Sequence, residues 1–272
     1  MTITGKHALV TGSSRGIGRG IALKLADEGV HVAVNYLTNE AAAKATLEQV
    51  RARGADGFIA QADVGQPAQL ERLFRRVKDE FGGLDVFVHN ARGEVGTFYE
   101  PALTMSLDKW DAAMNSQAKA FLIGVREAQK LMRDGGRVLA ITYAPGGVYG
   151  SWQSWAGMGA AKSAVEVLVR YFAVALAPRG ITVNAISPGW IEDSVLNTLP
   201  EAVQQMIRDH HKSGWTPMRR LGTPADVANA VSLFCSKEAA WITGQLVAVD
   251  GGMGLMDPAL PLAIQQPELQ PA

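Results

Sequence analysis

The chain has almost no cysteine: Cys235 is the only one in 272 residues. A disulfide framework is therefore excluded. The apolar helical run 227–234 beside it predicts a core thiol rather than a nucleophile. An excess of either charge is also missing. Lys plus Arg number 26 and Asp plus Glu number 26, which removes the usual footprint of nucleic-acid or anionic-membrane binding. No apolar run reaches the length of a membrane span, and the first residues do not read as a signal peptide. The expectation is a soluble cytoplasmic protein. No set of His, Cys or carboxylate residues has metal-ligand spacing, so no metal is expected. Internal repeats and linkers are absent too. What remains, at 47% hydrophobic and 19% charged, fits one large α/β domain over residues 1–254.

Strand and helix patterns alternate along that domain. Short apolar strands are predicted at 7–10, 30–35, 57–61, 84–89, 136–142, 181–187 and 245–249. Helices are predicted near 16–28, 39–53, 67–81, 108–133, 157–178 and 224–236. Strands apolar on both faces, joined by helices, predict a doubly wound parallel sheet of Rossmann type with helices on both sides. The stretch 188–223 interrupts the alternation. It follows the sixth strand, holds a helical piece at 200–212, and is placed as a substrate lid near 190–223. The tail, 255–272, carries four prolines and no periodicity; partial disorder and packing on a neighbouring subunit are both open for it.

The most informative stretch is Thr11-Gly12-Ser13-Ser14-Arg15-Gly16-Ile17-Gly18, set between a strand and a helix. Glycines let the backbone turn tightly beneath a pyrophosphate, and the helix start offers free N–H groups and a positive dipole end. The second strand ends Val34-Asn35-Tyr36, without the carboxylate that would hold ribose hydroxyls and repel a 2′-phosphate. Arg15 in the turn can instead pair with that phosphate. NADPH is therefore expected over NADH.

Further signals follow at strand ends: Asp63-Val64, Asn90-Ala91, Lys162, Pro188-Gly189 and Val249-Asp250-Gly251-Gly252. Together with the glycine turn they resemble the short-chain dehydrogenase/reductase family over nearly the whole chain, from Lys6 to Gly254. The resemblance implies roles. Gly12, Gly16 and Gly18, with Ser14 and Ile17 between and beside them, form the phosphate turn. Asp63 and Val64 flank the adenine, and Asn90 with Ala91 supports the adenosine side. Pro188, Gly189 and Ile191 line the nicotinamide, while Lys162 holds its ribose. Members of the family pair through the helices at 108–133 and 157–178, so a homotetramer is expected.

The catalytic segment departs from the pattern. Relatives carry a tyrosine four residues before the lysine; here that position is Met158. The enoyl-(acyl carrier protein) reductase subgroup shifts its tyrosine to seven residues before; here that position is Trp155. The upstream serine is also missing from Ile141-Thr142-Tyr143-Ala144-Pro145-Gly146-Gly147. Wording such as Asp63-Val64-Gly65-Gln66-Pro67 and the segment around Lys162 resembles that enoyl subgroup. The resemblance thus implies reduction of the double bond of an enoyl thioester, carried on acyl carrier protein or coenzyme A. Tyr143 and Tyr149 are the candidate replacement donors, with Ser151 and Ser154 behind them. Trp155 can donate a hydrogen bond or wall the pocket. Arg92, with His89 and Glu94, is a candidate contact for an anionic group. His210 and His211, with Lys212, are candidates for meeting an acidic carrier protein, although a solvated helix face is the better explanation of them. Two alternatives stay open: a carbonyl reductase (3-oxoacyl or hydroxysteroid type) with a relocated tyrosine, and an NADP-binding protein without hydride transfer.

Overall fold

The computed structural model describes residues 7–143, 153–193 and 195–266. Seven parallel strands form one sheet: β1 (His7–Val10), β2 (His31–Tyr36), β3 (Gly57–Gln61), β4 (Leu84–His89), β5 (Met132–Ile141), β6 (Thr182–Pro188) and β7 (Leu246–Val249). Their spatial order is β3-β2-β1-β4-β5-β6-β7. The order reverses between β1 and β4, and in such sheets ligands bind in the crevice outside the strand ends at that point.

Both faces of the inner strands are buried, which is why those strands are continuously apolar, while the edge strand β7 stays partly exposed. On one face Leu9, Ala33 and Phe87 pack against α3 (Pro67–Phe81), α5 (Ala120–Leu131) and α6 (Ala156–Leu176). On the other, Ala8, Val10, Val32 and Val88 pack against α1 (Gly16–Asp27), α2 (Glu40–Arg51) and α8 (Pro224–Cys235). Cys235 lies fully buried in that second layer, and burial pushes its thiol up to about 12. A group so held is inert at neutral pH, as expected of a core thiol. No helix among the described residues is long and apolar enough to cross a membrane.

Three elements differ from the sequence expectation. The helix expected at 108–133 is two helices, α4 (Leu107–Met114) and α5, joined by a π-helical turn at Asn115–Lys119. That turn aims Gln117 inward, where its Nε2 donates to Ala91 O at 3.1 Å. The fifth strand begins four residues earlier than expected, because Met132 pairs with Leu84 before a register shift. The tail does not stand apart from its own chain up to Gln266. It forms a short helix, α9 (Leu262–Gln265), and Gln266 Nε2 donates to Gly214 O in the lid. The helical piece expected at 200–212 is α7 (Glu201–His210), which ends in a second π-type turn, His211–Trp215.

Gly57 shows how tightly β3 is laid against β2. A Cβ there would collide with the Val32 carbonyl. Replacing Gly57 by Ala is expected to cost about 1–3 kcal/mol through overpacking. Urea unfolding checks this: the midpoint falls while the slope is kept.

Candidate active site

A cavity of about 1090 Å³ opens at the carboxyl ends of β1, β4, β5 and β6. Its frame is the pair of loops at the sheet's reversal point. Thr11 Oγ1 accepts the backbone N–H of Asn90 at 3.0 Å and of Ala91 at 3.1 Å. Asn90 Nδ2 donates back to Thr11 O at 2.9 Å and Gly12 O at 3.1 Å. The loops come so close that a Cβ on Gly12 would sit 2.8 Å from Ala91 Cα, and Gly12 itself has φ +63°. Only glycine serves both demands. Asn90 is thus a clamp on the phosphate turn, and it also lines the cavity.

Gly12, Ser14, Arg15, Ile17 and Gly18 line the cavity as expected, together with Ala91, Pro188, Gly189 and Ile191. Gly16 instead borders a shallower cleft behind the turn. Asn35 is 1% exposed and lies beneath the turn. Its Oδ1 accepts from Gly12 N at 2.9 Å, and its Nδ2 donates to Ala60 O and Ala62 O. It shapes the turn from behind rather than facing a ligand. Asp63 and Val64 are not in the cavity lining; Asp63 Oδ1 caps its own loop by accepting from Gly65 N at 2.9 Å. The outer end is lined by Tyr36, Leu37, Thr38 and Asn39, without a carboxylate among them. Arg15 stands exposed at the rim, and its guanidinium makes no hydrogen bond or ion pair among the described residues.

The residues present fit a dinucleotide. Helix α1 starts without a side-chain cap and without an acidic residue in its first turn, so its N–H groups are open to an anion. One anion already sits there: the Asp193 carboxylate accepts from Ile17 N at 3.2 Å.

The inner end carries the groups for chemistry. Lys162 is 6% exposed and its Nζ donates to Ile141 O at 2.5 Å. Burial, and then the charge of Arg92, pull its ammonium down to about 7, against the attraction of Glu166. Arg92 lines the same cavity. Its guanidinium is itself pushed down by burial, while Asp193 and Glu94 attract it and Arg15 repels it. His89 is fully buried, and burial with the Lys162 charge lowers it to about 3, so it stays a neutral core ring.

Met158 is 1% exposed and packs with Phe98, Ala113 and Ala161. Trp155 joins this cluster, edge-on to Phe98 at 5.1 Å, and forms a cavity wall. Tyr143 leaves the end of β5 and reaches across to α6. Its hydroxyl lies 2.9 Å from where a Cβ on Gly159 would be. The helix therefore leaves a gap at 159, and the phenol fills it three residues from Lys162. Ser187 Oγ donates to Tyr143 O and fixes its backbone. Burial, then Glu166, pushes the phenol above its ordinary value. Gly159 was the missed sequence signal: a glycine inside a helix beside a buried lysine. Tyr149 and Ser151 lie outside the described residues. Ser154 is partly buried and gives its carbonyl to Glu100 N.

The two lid histidines part company. His210 stacks on Trp215 on the exposed side, with ring centroids 5.5 Å apart. His211 is 4% exposed, hydrogen-bonded through Nδ1 to Thr216 Oγ1 at 2.6 Å, and held near 4 by burial and then His210. A solvated face therefore describes His210 alone.

Lys162 gives a pH-dependent test. Between about pH 7 and its ordinary value of 10.5 the unfolded chain binds a proton that the folded chain has released, so this group makes stability rise with pH. Below that window both states are charged and the folded state bears the full burial cost. Replacing Lys162 by Met is expected to raise the melting temperature at pH 6, by about 2–4 °C for each kcal/mol recovered, and to raise it little at pH 10. Thermal scans at the two pH values check this; an equal shift at both contradicts it.

The comparisons with known proteins agree with this geometry. A family model described as enoyl-(acyl carrier protein) reductase matches residues 12–254. The 3-oxoacyl-[acyl-carrier-protein] reductase FabG of Staphylococcus aureus is 37% identical over 251 residues, covering 91% of this chain and 98% of that protein. The 1-cyclohexenylcarbonyl-CoA reductase of Streptomyces collinus is 36% identical over 258 residues, covering 92% and 88%. Among solved structures, the angucycline C-6 ketoreductase LanV with bound NADP superposes with a TM-score of 0.83 at 33% identity, covering 94% of this chain and 98% of that one. A glycine turn clamped to the fourth strand, a buried helix lysine and matches along nine-tenths of the chain lead to one assignment: this protein is an oxidoreductase of the short-chain dehydrogenase/reductase family.

Proposed function

We propose that the protein is an NADPH-dependent reductase of a ketone carbonyl, with Tyr143 as the proton donor. The observation that carries this is the Tyr143 hydroxyl seated over Gly159, in the cavity that Lys162 also lines. The names of the relatives support it, since both the staphylococcal protein and LanV are named for reduction of a ketone. The sequence-based expectation of double-bond reduction thereby yields first place to its carbonyl alternative.

The cofactor, when bound, supplies hydride to the carbonyl carbon. The rest is done by this chain. Arg15 meets the 2′-phosphate at the rim, and the first turn of α1 receives the pyrophosphate. Lys162 holds the nicotinamide ribose. Tyr143 keeps its proton at Oη through neutral pH, because burial and Glu166 disfavour the phenolate. It passes that proton to the carbonyl oxygen as charge builds there, and the strongly basic phenolate recovers one from water. Trp155 and Trp190 wall the reacting end.

A second reading is the reduction of an enoyl thioester. Met158 and Trp155 favour it, since neither is a proton-transfer acid and both usual tyrosine positions are filled by them. The description of the matching family model and the name of the Streptomyces relative point the same way. In that reaction a hydrogen-bond donor alone stabilises the thioester oxygen.

We further propose a homotetramer. Val167, Tyr171 and Val174 follow one another at helical spacing along α6, and the last two are 73% and 77% exposed. An apolar stripe of this kind suits a second copy.

Two tests follow. NADPH oxidation is measured with acetoacetyl and crotonyl thioesters in parallel. Turnover of the first, with kcat lowered about 10²–10⁴-fold in Tyr143→Phe, supports the carbonyl reading; turnover of crotonyl thioester alone, unchanged in that variant, replaces it with the second. For assembly, Tyr171→Glu with Val174→Glu is expected to give smaller species by light scattering, and an unchanged mass refutes the proposed interface.

A further inference from the structure

We infer that Asp193 is an internal competitor for the cofactor's pyrophosphate: its carboxylate occupies the anion seat of α1, and a dinucleotide must displace it towards Arg92. The inference rests on the dinucleotide-binding reading of the cavity and adds a residue that sets its affinity.

The contact is specific. Ile17 is the second residue of α1, and its N–H is one of the donors that a helix start leaves without an intrahelical partner. Asp193 Oδ2 accepts from it at 3.2 Å across 176 residues of sequence. The other oxygen, Oδ1, accepts from Val195 N at 2.9 Å, which locks the carboxylate's orientation. Asp193 arrives on a braced segment. Ile191 forms an isolated parallel bridge with Gly222, and Glu192 binds the Arg208 guanidinium through both its oxygens at 2.7 and 2.9 Å. The lid thus delivers a negative charge to the place where the fold receives one.

A pyrophosphate and this carboxylate cannot share the seat. They would contest one N–H and repel each other in a partly desolvated crevice. Arg92 offers the displaced carboxylate a destination. It lines the cavity, Asp193 already attracts it, and its own carbonyl-directed hydrogen bond, from Nη1 to Gly93 O at 3.0 Å, leaves other N–H groups of the guanidinium for a new partner. Cofactor entry then exchanges one ion contact for another: the α1 seat passes from carboxylate to phosphate, and Asp193 closes the lid onto Arg92.

The test uses the full chain without cofactor and measures binding rather than turnover. NADPH affinity is titrated by calorimetry for the wild type, Asp193→Asn, Arg92→Met and the double variant. Adenosine 2′-monophosphate, which has no pyrophosphate, serves as the control. Asp193→Asn keeps an oxygen for Val195 N and removes the charge, so NADPH is expected to bind about tenfold more tightly, with the nucleotide control unchanged. Arg92→Met is expected to weaken NADPH binding in the wild type and to have little effect in the Asp193→Asn background. Equal or weaker NADPH binding by Asp193→Asn overturns the inference, as do additive effects of the two substitutions. The Arg92→Met comparison with wild type decides alone if Asp193→Asn does not fold: unchanged or tighter NADPH binding there overturns it. Absence of ketone turnover with this affinity pattern intact overturns the reductase reading and leaves the inference standing.

Discussion

Two loops leave the sheet on opposite sides of the β1–β4 boundary, and Thr11 and Asn90 tie them together there. The remaining site geometry depends on that tie. It sets the glycine turn against Ala91, and the turn in turn sets the first N–H groups of α1 at the mouth of the cavity. Asn35 supports the same turn from beneath, with every polar atom of its side chain engaged by backbone. Three buried or half-buried polar residues, Thr11, Asn35 and Asn90, thus fix one anion seat. Such groups persist in an apolar crossing only when fully paired, which makes the arrangement rigid as well as specific.

At the inner end the structure holds cations close together. Lys162 and Arg92 each lose proton affinity through burial, and each is further lowered by a neighbouring positive charge. Met158, four residues before Lys162, belongs to an apolar cluster and also borders the cavity. The Tyr143 phenol comes from a different element, the end of β5, so the proposed proton donor and Lys162 do not share one helix. Their relative position is set by the packing of β5 on α6 rather than by helical spacing.

Most of the fold could be read in the sequence because its strands are apolar on both faces and punctuated by turn residues. Strands β1, β3 and β4 have the expected bounds. The glycine turn and Lys162 are weak signals singly; their joint placement with the other strand-end motifs is what makes them legible. The misses are tertiary. Nothing local in 108–133 announces a π-turn; it exists because Gln117 reaches the Ala91 carbonyl. Asn35 reads as a ligand residue from its place at a strand end, yet its neighbours consume its side chain. Asp193 gives no motif at all, and only folding brings it to Ile17.

Helix α6 begins under Trp155 with no side-chain cap, no acidic residue in its first turn, and Gly157 and Gly159 among its first four residues. Each glycine weakens a helix by roughly 0.5–1 kcal/mol relative to alanine. Helix propensity therefore holds this end less firmly than packing does, and Met158 in its cluster and Tyr143 over Gly159 supply that packing. The shape of the cavity's inner end thus depends on how far that first turn stays wound, because Trp155, Met158 and Gly159 all border it.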